Sequence, residues 1–252
     1  MTTDDFPRPD LPDANVSDRV GASRGFPRLR IAHLLLWTFC TAVFLTLERY
    51  WLSTGYMPEE YQPVRAVTGL IEAIVNGAAL SGTIVLLTAR VSDGPPWLRA
   101  PGHWLMLAPA VDACFIWLPS TILSLIGDVD SYIVQFFDCG VLVISIGVFL
   151  LAFKQQQERR WKIFFAALFA LTAVKLIANG ILLVDVFHFE VFERLHLAYS
   201  LGDIVLCPWI LAVALIDVKR GVRRDWLHWV GVATFALSQC LYLMWRIGVE
   251  FV

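Results

Sequence analysis

The chain has 252 residues, of which 58% are hydrophobic and 17% are charged, and its mean hydropathy is +0.64. In soluble domains about a quarter of the residues are charged, so this composition excludes an ordinary soluble enzyme. It predicts a membrane protein whose first partner is the lipid bilayer. The net charge is −2 and the pI is about 6.2, so the chain does not have the excess of basic residues that nucleic-acid binding requires. We therefore expect no nucleic-acid partner.

The first 28 residues are rich in Asp and Pro and contain no apolar stretch. A secretory signal peptide would need a basic start followed by a short apolar core, so we expect none here. A segment of this composition buries too little apolar surface to fold. We predict a disordered cytoplasmic tail over residues 1–28, followed by a transmembrane domain over residues 29–252.

Seven segments of the chain are long and apolar enough to be membrane-spanning helices, which need about 20 mostly apolar residues. None of them alternates polar and apolar residues as the strands of a membrane barrel do. The predicted fold class is therefore all-α, a polytopic membrane protein with seven transmembrane helices. The predicted spans are approximately 31–52, 64–89, 103–126, 132–153, 162–186, 197–217 and 226–248.

The distribution of Lys and Arg predicts the orientation, because basic residues are retained on the cytoplasmic side during insertion. With the N-terminus inside, fifteen of the twenty basic residues fall on the inner side, four fall on the outer side, and Lys175 lies within a span. The sequence thus predicts a cytoplasmic N-terminus and an external C-terminus. We expect the protein in a plasma membrane or a bacterial inner membrane.

Charged residues inside the predicted spans are the main candidates for function, since each costs on the order of 3 kcal/mol to place in the hydrocarbon. They occupy the middle or the outer half of the predicted membrane, where they could meet in one polar layer. Three amides lie on polar helix faces at similar depth and could orient a ligand by hydrogen bonds. The predicted ion or substrate site comprises Glu72, Asp112, Asp138, Lys175 and Asp203, with the amides Asn76, Asn179 and Gln239.

This layer has an imbalance of charge, because four carboxylates against one lysine would leave it at −3 in a low dielectric. Either some of the acids are protonated or a cation occupies the site. We expect Lys175 to pair with Asp112 or Asp203, while Glu72 and Asp138 hold a proton or a cation. The predicted function is a transporter or channel-like protein for a proton, a cation or a small cationic solute. The alternative is that these groups only satisfy one another as structural contacts between helices.

Two other classes of function are weighed against transport. A sensory or scaffold subunit would dock a protein partner through the basic inner loops 154–162 and 219–224, although membrane topology alone explains their charge. An intramembrane enzyme is not expected, because no nucleophile is accompanied by a base. The sequence also contains no Gly-rich phosphate loop, Walker motif or GxSxG elbow, and it indicates no cofactor.

Three histidines, His33, His103 and His228, fall near the inner ends of their predicted spans. Imidazoles at a common depth could hold zinc, but a histidine beside an interfacial tryptophan is the commoner arrangement. We predict no metal site, and we expect a metal only if the three rings converge on one point.

Overall fold

The computed structural model describes residues 29–53, 62–93, 98, 100–117, 119, 131–183 and 189–250. Over these residues the chain is helical and contains no strand, which confirms the all-α prediction for the described part. The tail predicted at 1–28 lies outside the described residues. The described α-helices are α1 (Ile31–Ser53), α2 (Gln62–Asp93), α3 (Pro101–Asp112), α4 (Ser131–Gln155), α5 (Arg159–Leu183), α6 (Phe189–Lys219) and α7 (Trp226–Glu250).

Among the described residues, five helices are long and apolar enough to cross a membrane, which is compatible with a membrane protein. The predicted spans 103–126 and 226–248 are not among the five. Helix α3 is described over 12 residues only, and most of the remainder of its predicted span lies outside the described part. The five candidate spans are Ile31–Tyr50, Gln62–Thr88, Ile133–Gln155, Arg159–Leu183 and Glu190–Lys219.

Six of the helices form a closed ring, in which α2 to α7 each pack against the next helix in the chain and α7 packs against α2. Helix α3 also packs against α7, so these two helices cross within the ring. Helix α1 packs mainly against α2, on the outside of the ring. This arrangement places polar residues of six different helices around one interior space.

The hydrophobic core lies toward the end of the ring at which α5 begins. Trp161, Phe164 and Phe165 are fully buried there. Phe164 makes edge-to-face contacts with Trp209 of α6 and Phe235 of α7, the geometry that aromatic pairs prefer. These large rings fill this end of the ring, and the space beyond them remains open.

Two glycines allow α3 and α7 to cross at close range. A Cβ placed at Gly102 would overlap the carbonyl oxygen of His228, and a Cβ placed at Gly231 would overlap the carbonyl oxygen of Gly102. Small residues permit such backbone contact between membrane helices. The crossing fixes the start of α3 against the start of α7.

Candidate functional site

A polar cavity of about 300 Å³ lies inside the ring, beyond the aromatic core. Its volume corresponds to about ten water molecules at the roughly 30 Å³ that each occupies in the liquid. Phe149, Leu168 and Phe235 line it on the side of the aromatic core. Each of the six ring helices contributes at least one polar group to the lining, namely Asn76, Asp112, Ser145, Thr172, Lys175, Asp203, Ser238 and Gln239.

Lys175 and Asp203 form an ion pair in the wall of this cavity. The Lys175 Nζ lies 2.9 Å from Oδ1 and 2.8 Å from Oδ2 of Asp203. The Asp203 side chain is 1% exposed and the Lys175 side chain is 26% exposed. Of the two partners that the sequence allowed for Lys175, the structure selects Asp203. The ring of Tyr199 adds a cation–π contact, with its centroid 5.6 Å from the Lys175 Nζ.

Asp112 is the second carboxyl group of the polar cavity. Among the described residues, its side chain has neither an ion-pair partner nor a hydrogen-bond partner. Asp112 ends α3, and the turn that follows, Ala113–Trp117, is π-helical. Single π-helical turns occur frequently at functional sites. Within the described part of the chain, Lys175 pairs with Asp203, and no ion pair joins it to Asp112.

Gln239 contributes a polar atom that lacks a partner. Its side-chain oxygen is buried and accepts no hydrogen bond from the described residues, although buried polar atoms in native proteins nearly always have a hydrogen-bond partner. The oxygen belongs to the lining of the polar cavity. A water molecule or a ligand N–H group in the cavity would satisfy it.

Glu72 is placed in a different cluster, and it does not line the polar cavity. Its carboxylate lies 3.2 Å from Nη1 of Arg65, whose Nη2 lies 2.9 Å from Glu48 of α1. Glu48 was not singled out from the sequence. Arg65 is shared between Glu48 and Glu72, so Glu72 belongs to this cluster and not to the lining around Lys175.

Asp138 and Asn179 are also absent from the cavity lining. The backbone carbonyl of Asn179 accepts a hydrogen bond from Nε2 of Gln135 at 3.3 Å.

Five of the eight predicted site residues thus line the cavity together. With its carboxyl groups ionised and its lysine protonated, the lining carries a charge of −1, compared with the −3 expected from sequence. The five are Asn76, Asp112, Lys175, Asp203 and Gln239.

Two of the three predicted histidines meet one carboxylate at the start of α7. Nε2 of His103 lies 3.0 Å from Oδ1 of Asp225, and the same oxygen accepts the backbone N–H of His228 at 2.7 Å as a helix cap. Nδ1 of His228 accepts the backbone N–H of Gly102 at 2.8 Å. The pKa of Asp225 lies below its ordinary value of 3.8. Burial alone would raise this pKa, but the hydrogen bond and the charge of His103, together with the backbone N–H of His228, lower it by more.

The ring of the third histidine, His33, stacks on Trp226 at the start of α7, with centroids 5.7 Å apart. Among the described residues, no group of three or more His, Cys, Asp or Glu side chains is placed to hold a metal ion. His103 and His228 are accounted for as parts of the joint between α3 and α7.

A buried cluster of charges closes the same end of the ring. Asp217 of α6 is fully buried and accepts hydrogen bonds from Nε1 of Trp161 at 3.1 Å and from Nη2 of Arg224 at 3.0 Å. Arg160 also pairs with Asp217, and both arginines pair with Glu158. This group, which we call the Asp217 cluster, was missed from sequence because its members lie at the margins of predicted spans.

Comparison with protein-family models, with curated proteins and with solved structures finds no match to the chain.

Proposed function

We propose that this protein binds a proton or a small cationic solute in the polar cavity, and that it does so as a transporter or channel-like protein. The proposal includes the topology expected from sequence, with seven spans, a cytoplasmic N-terminus and an external C-terminus. The observation that carries it is the carboxyl group of Asp112, which lines the cavity without a partner among the described residues.

The charge of the cavity supports a cationic ligand. Lys175 is already compensated by Asp203, so an ionised Asp112 adds one negative charge in a region of low dielectric. Leaving such a charge uncompensated is costly, whereas protonation or a bound cation removes the cost. The buried oxygen of Gln239 favours the same ligands, because an N–H group or a water molecule can donate to it.

The depth of these groups supports access from the outer face in the proposed orientation. Asp112 is 11 residues from the start of α3, and Asp203 is 16 residues from the end of α6. At 1.5 Å per residue, they lie about 16 Å and about 24 Å from the end closed by the Asp217 cluster. The cavity is thus farther from the predicted cytoplasmic side than from the external side.

Flux measurements on the full chain in lipid vesicles test the proposal. The probes are protons, read by a trapped pH-sensitive dye, and methylammonium as a small organic cation. We expect the wild type to carry at least one of them above empty vesicles, and Asp112→Asn to lower that flux about ten- to a hundredfold, the range expected for loss of a charged hydrogen-bond partner.

Glu193→Gln is the control, because it also replaces a carboxylate by an amide, at an exposed residue of α6 that does not line the cavity. We expect this variant to retain the wild-type flux. A wild type that carries neither probe, or an Asp112→Asn variant as active as Glu193→Gln, would refute the proposal. A reporter fused to the C-terminus tests the orientation, which is wrong if the reporter lies on the cytoplasmic side.

The scaffold alternative remains a prediction with less support. It requires the basic inner loops to present their charges to a partner, yet Arg160 and Arg224 are engaged by Asp217 and Glu158 within the chain. These two arginines are therefore committed to internal ion pairs.

A further inference from the structure

A second cavity, an apolar groove of about 360 Å³, lies between α1, α2 and α7 and shares no lining residue with the polar cavity. Three of the polar side chains that line it donate their hydrogen bonds to backbone carbonyls. The hydroxyls of Ser81 and Thr234 donate to carbonyls of their own helices, each at 3.1 Å, and Nε1 of Trp37 donates to Ile74 at 3.4 Å. The groove therefore suits a hydrocarbon ligand.

The length of the apolar groove matches one leaflet of a bilayer. Its lining on α7 runs from Trp226 to Leu237, and its lining on α2 runs from Ile74 to Val85. Eleven residues of helix span about 16 Å, and half of a hydrocarbon core about 30 Å thick is about 15 Å. Since α1 and α7 both begin at the same end of the groove, it extends from one membrane surface to the middle of the bilayer.

Two arginines mark the end of the groove that lies at the membrane surface. Arg30 stands between the lining residues Leu29 and His33, and Arg223 precedes the lining residue Trp226 by three positions. Both arginines are exposed, and neither forms an ion pair within the described part of the chain. Basic residues at a membrane surface attract anionic lipid headgroups.

We propose that the apolar groove binds an anionic phospholipid, with one acyl chain between α1 and α7 and the phosphate near Arg30 and Arg223. The lipid fills the space that separates α1 from α7, and α1 thereby gains a second packing surface beside α2. This site is independent of the proposed transport function, because the two cavities have no lining residue in common.

Tryptophan quenching by brominated lipids measures the binding directly, because Trp37 and Trp226 line the groove. The full chain is reconstituted in phosphatidylcholine vesicles that contain a small fraction of brominated phosphatidylglycerol or of brominated phosphatidylcholine. We expect the anionic lipid to quench more strongly at equal fractions. With a gain of roughly fivefold for each arginine, the selectivity should be roughly thirtyfold.

Two alanine substitutions locate the site. Ala233 lines the groove and is exposed, so Ala233→Phe fills the space that the acyl chain would occupy. Ala212→Phe is the matched control, because Ala212 is equally exposed on α6, and each alanine lies seven residues from the end of its helix at the Asp217 cluster. We expect Ala233→Phe to abolish the excess quenching and Ala212→Phe to retain it.

A double substitution, Arg30→Gln with Arg223→Gln, tests the headgroup contact without changing the packing of the helices. We expect it to make the two brominated lipids quench equally, and it keeps the test decisive if Ala233→Phe fails to fold. Equal quenching of the wild type by both lipids would overturn the proposal. So would anionic quenching that survives both Ala233→Phe and the double substitution, or a wild-type dimer that Ala233→Phe converts to a monomer, since a second copy would then cover the groove.

Discussion

Replacing Asp217 by Asn tests whether the Asp217 cluster holds the helices together. The substitution keeps the volume of the side chain and an oxygen for Nε1 of Trp161, but it removes the charge that faces Arg160 and Arg224. Breaking a buried ion pair by removing one partner costs about 3–5 kcal/mol. Because Glu158 still pairs with both arginines, we expect the free energy of unfolding to fall by about 3 kcal/mol, the lower limit of this range.

Thermal unfolding of the purified protein in detergent, followed by tryptophan emission, measures this loss. For a chain of this length, each kcal/mol lowers Tm by about 2–4 °C, so Asp217→Asn should unfold about 6–12 °C below the wild type. Glu158→Gln is the matched control, since its carboxylate is 33% exposed whereas that of Asp217 is fully buried. Exposed ion pairs contribute at most about 1 kcal/mol, which corresponds to a decrease in Tm of about 2–4 °C.

The comparison between the two variants is decisive. If Asp217→Asn unfolds at the wild-type temperature, or no lower than Glu158→Gln, burial does not strengthen this cluster and the reasoning is wrong.

The joint between α3 and α7 gives two further predictions. Gly231→Ala should lower Tm strongly, because the new Cβ would overlap a backbone carbonyl. Gly147→Ala is the control, since its Cβ would meet no atom within 4 Å, and it should raise the free energy of unfolding by about 0.5–1 kcal/mol through helix propensity. Equal effects of the two substitutions on Tm would contradict the close crossing of α3 and α7. The pKa of Asp225 is lowered, so its stabilising contribution is complete above its ordinary value of 3.8 and is lost as the pH falls below that value. Asp225→Asn keeps a capping side chain but removes the charge beside His103. When Tm is measured from pH 2 to pH 7, the Tm of this variant should fall less steeply below about pH 4 than that of the wild type. An equally steep fall of Tm in the variant would contradict the contact between Asp225 and His103.

Hydropathy predicted the five described helices that are long and apolar enough to cross a membrane, but not all of their ends. The predicted spans 31–52 and 132–153 nearly coincide with Ile31–Ser53 and Ser131–Gln155. Helix α6 instead begins at Phe189, eight residues before the predicted start at 197. Its first two turns contain Glu190, Glu193 and Arg194, and a search for apolar runs omits such turns even where the helix continues through them.

The sequence predicted a depth for each polar residue but could not predict its lateral position. Spacing along one helix gives the height of a side chain and the face on which it lies, but not which neighbouring helix that face meets. The pairing of Lys175 followed from its being the single basic residue in the predicted layer. Glu72 was assigned to the same layer by its position along α2, but its side chain pairs with Arg65 of the same helix and does not line the polar cavity.

Within the described part of the chain, buried contacts join the helices at one end of the ring, and they constrain any movement that would expose the polar cavity there. At the end where α5 and α7 begin, the Asp217 cluster, the Asp225–His103 contact and the crossing of Gly102 with Gly231 each join two helices. Opening the cavity there would break buried ion pairs at a cost of several kcal/mol. On the opposite side of the cavity, α3 gives way to a π-helical turn immediately after Asp112. If the proposed function is correct, we expect ligand to exchange on the Asp112 side while the Asp217 cluster stays intact, and a full transport cycle would require a second state in which that cluster separates.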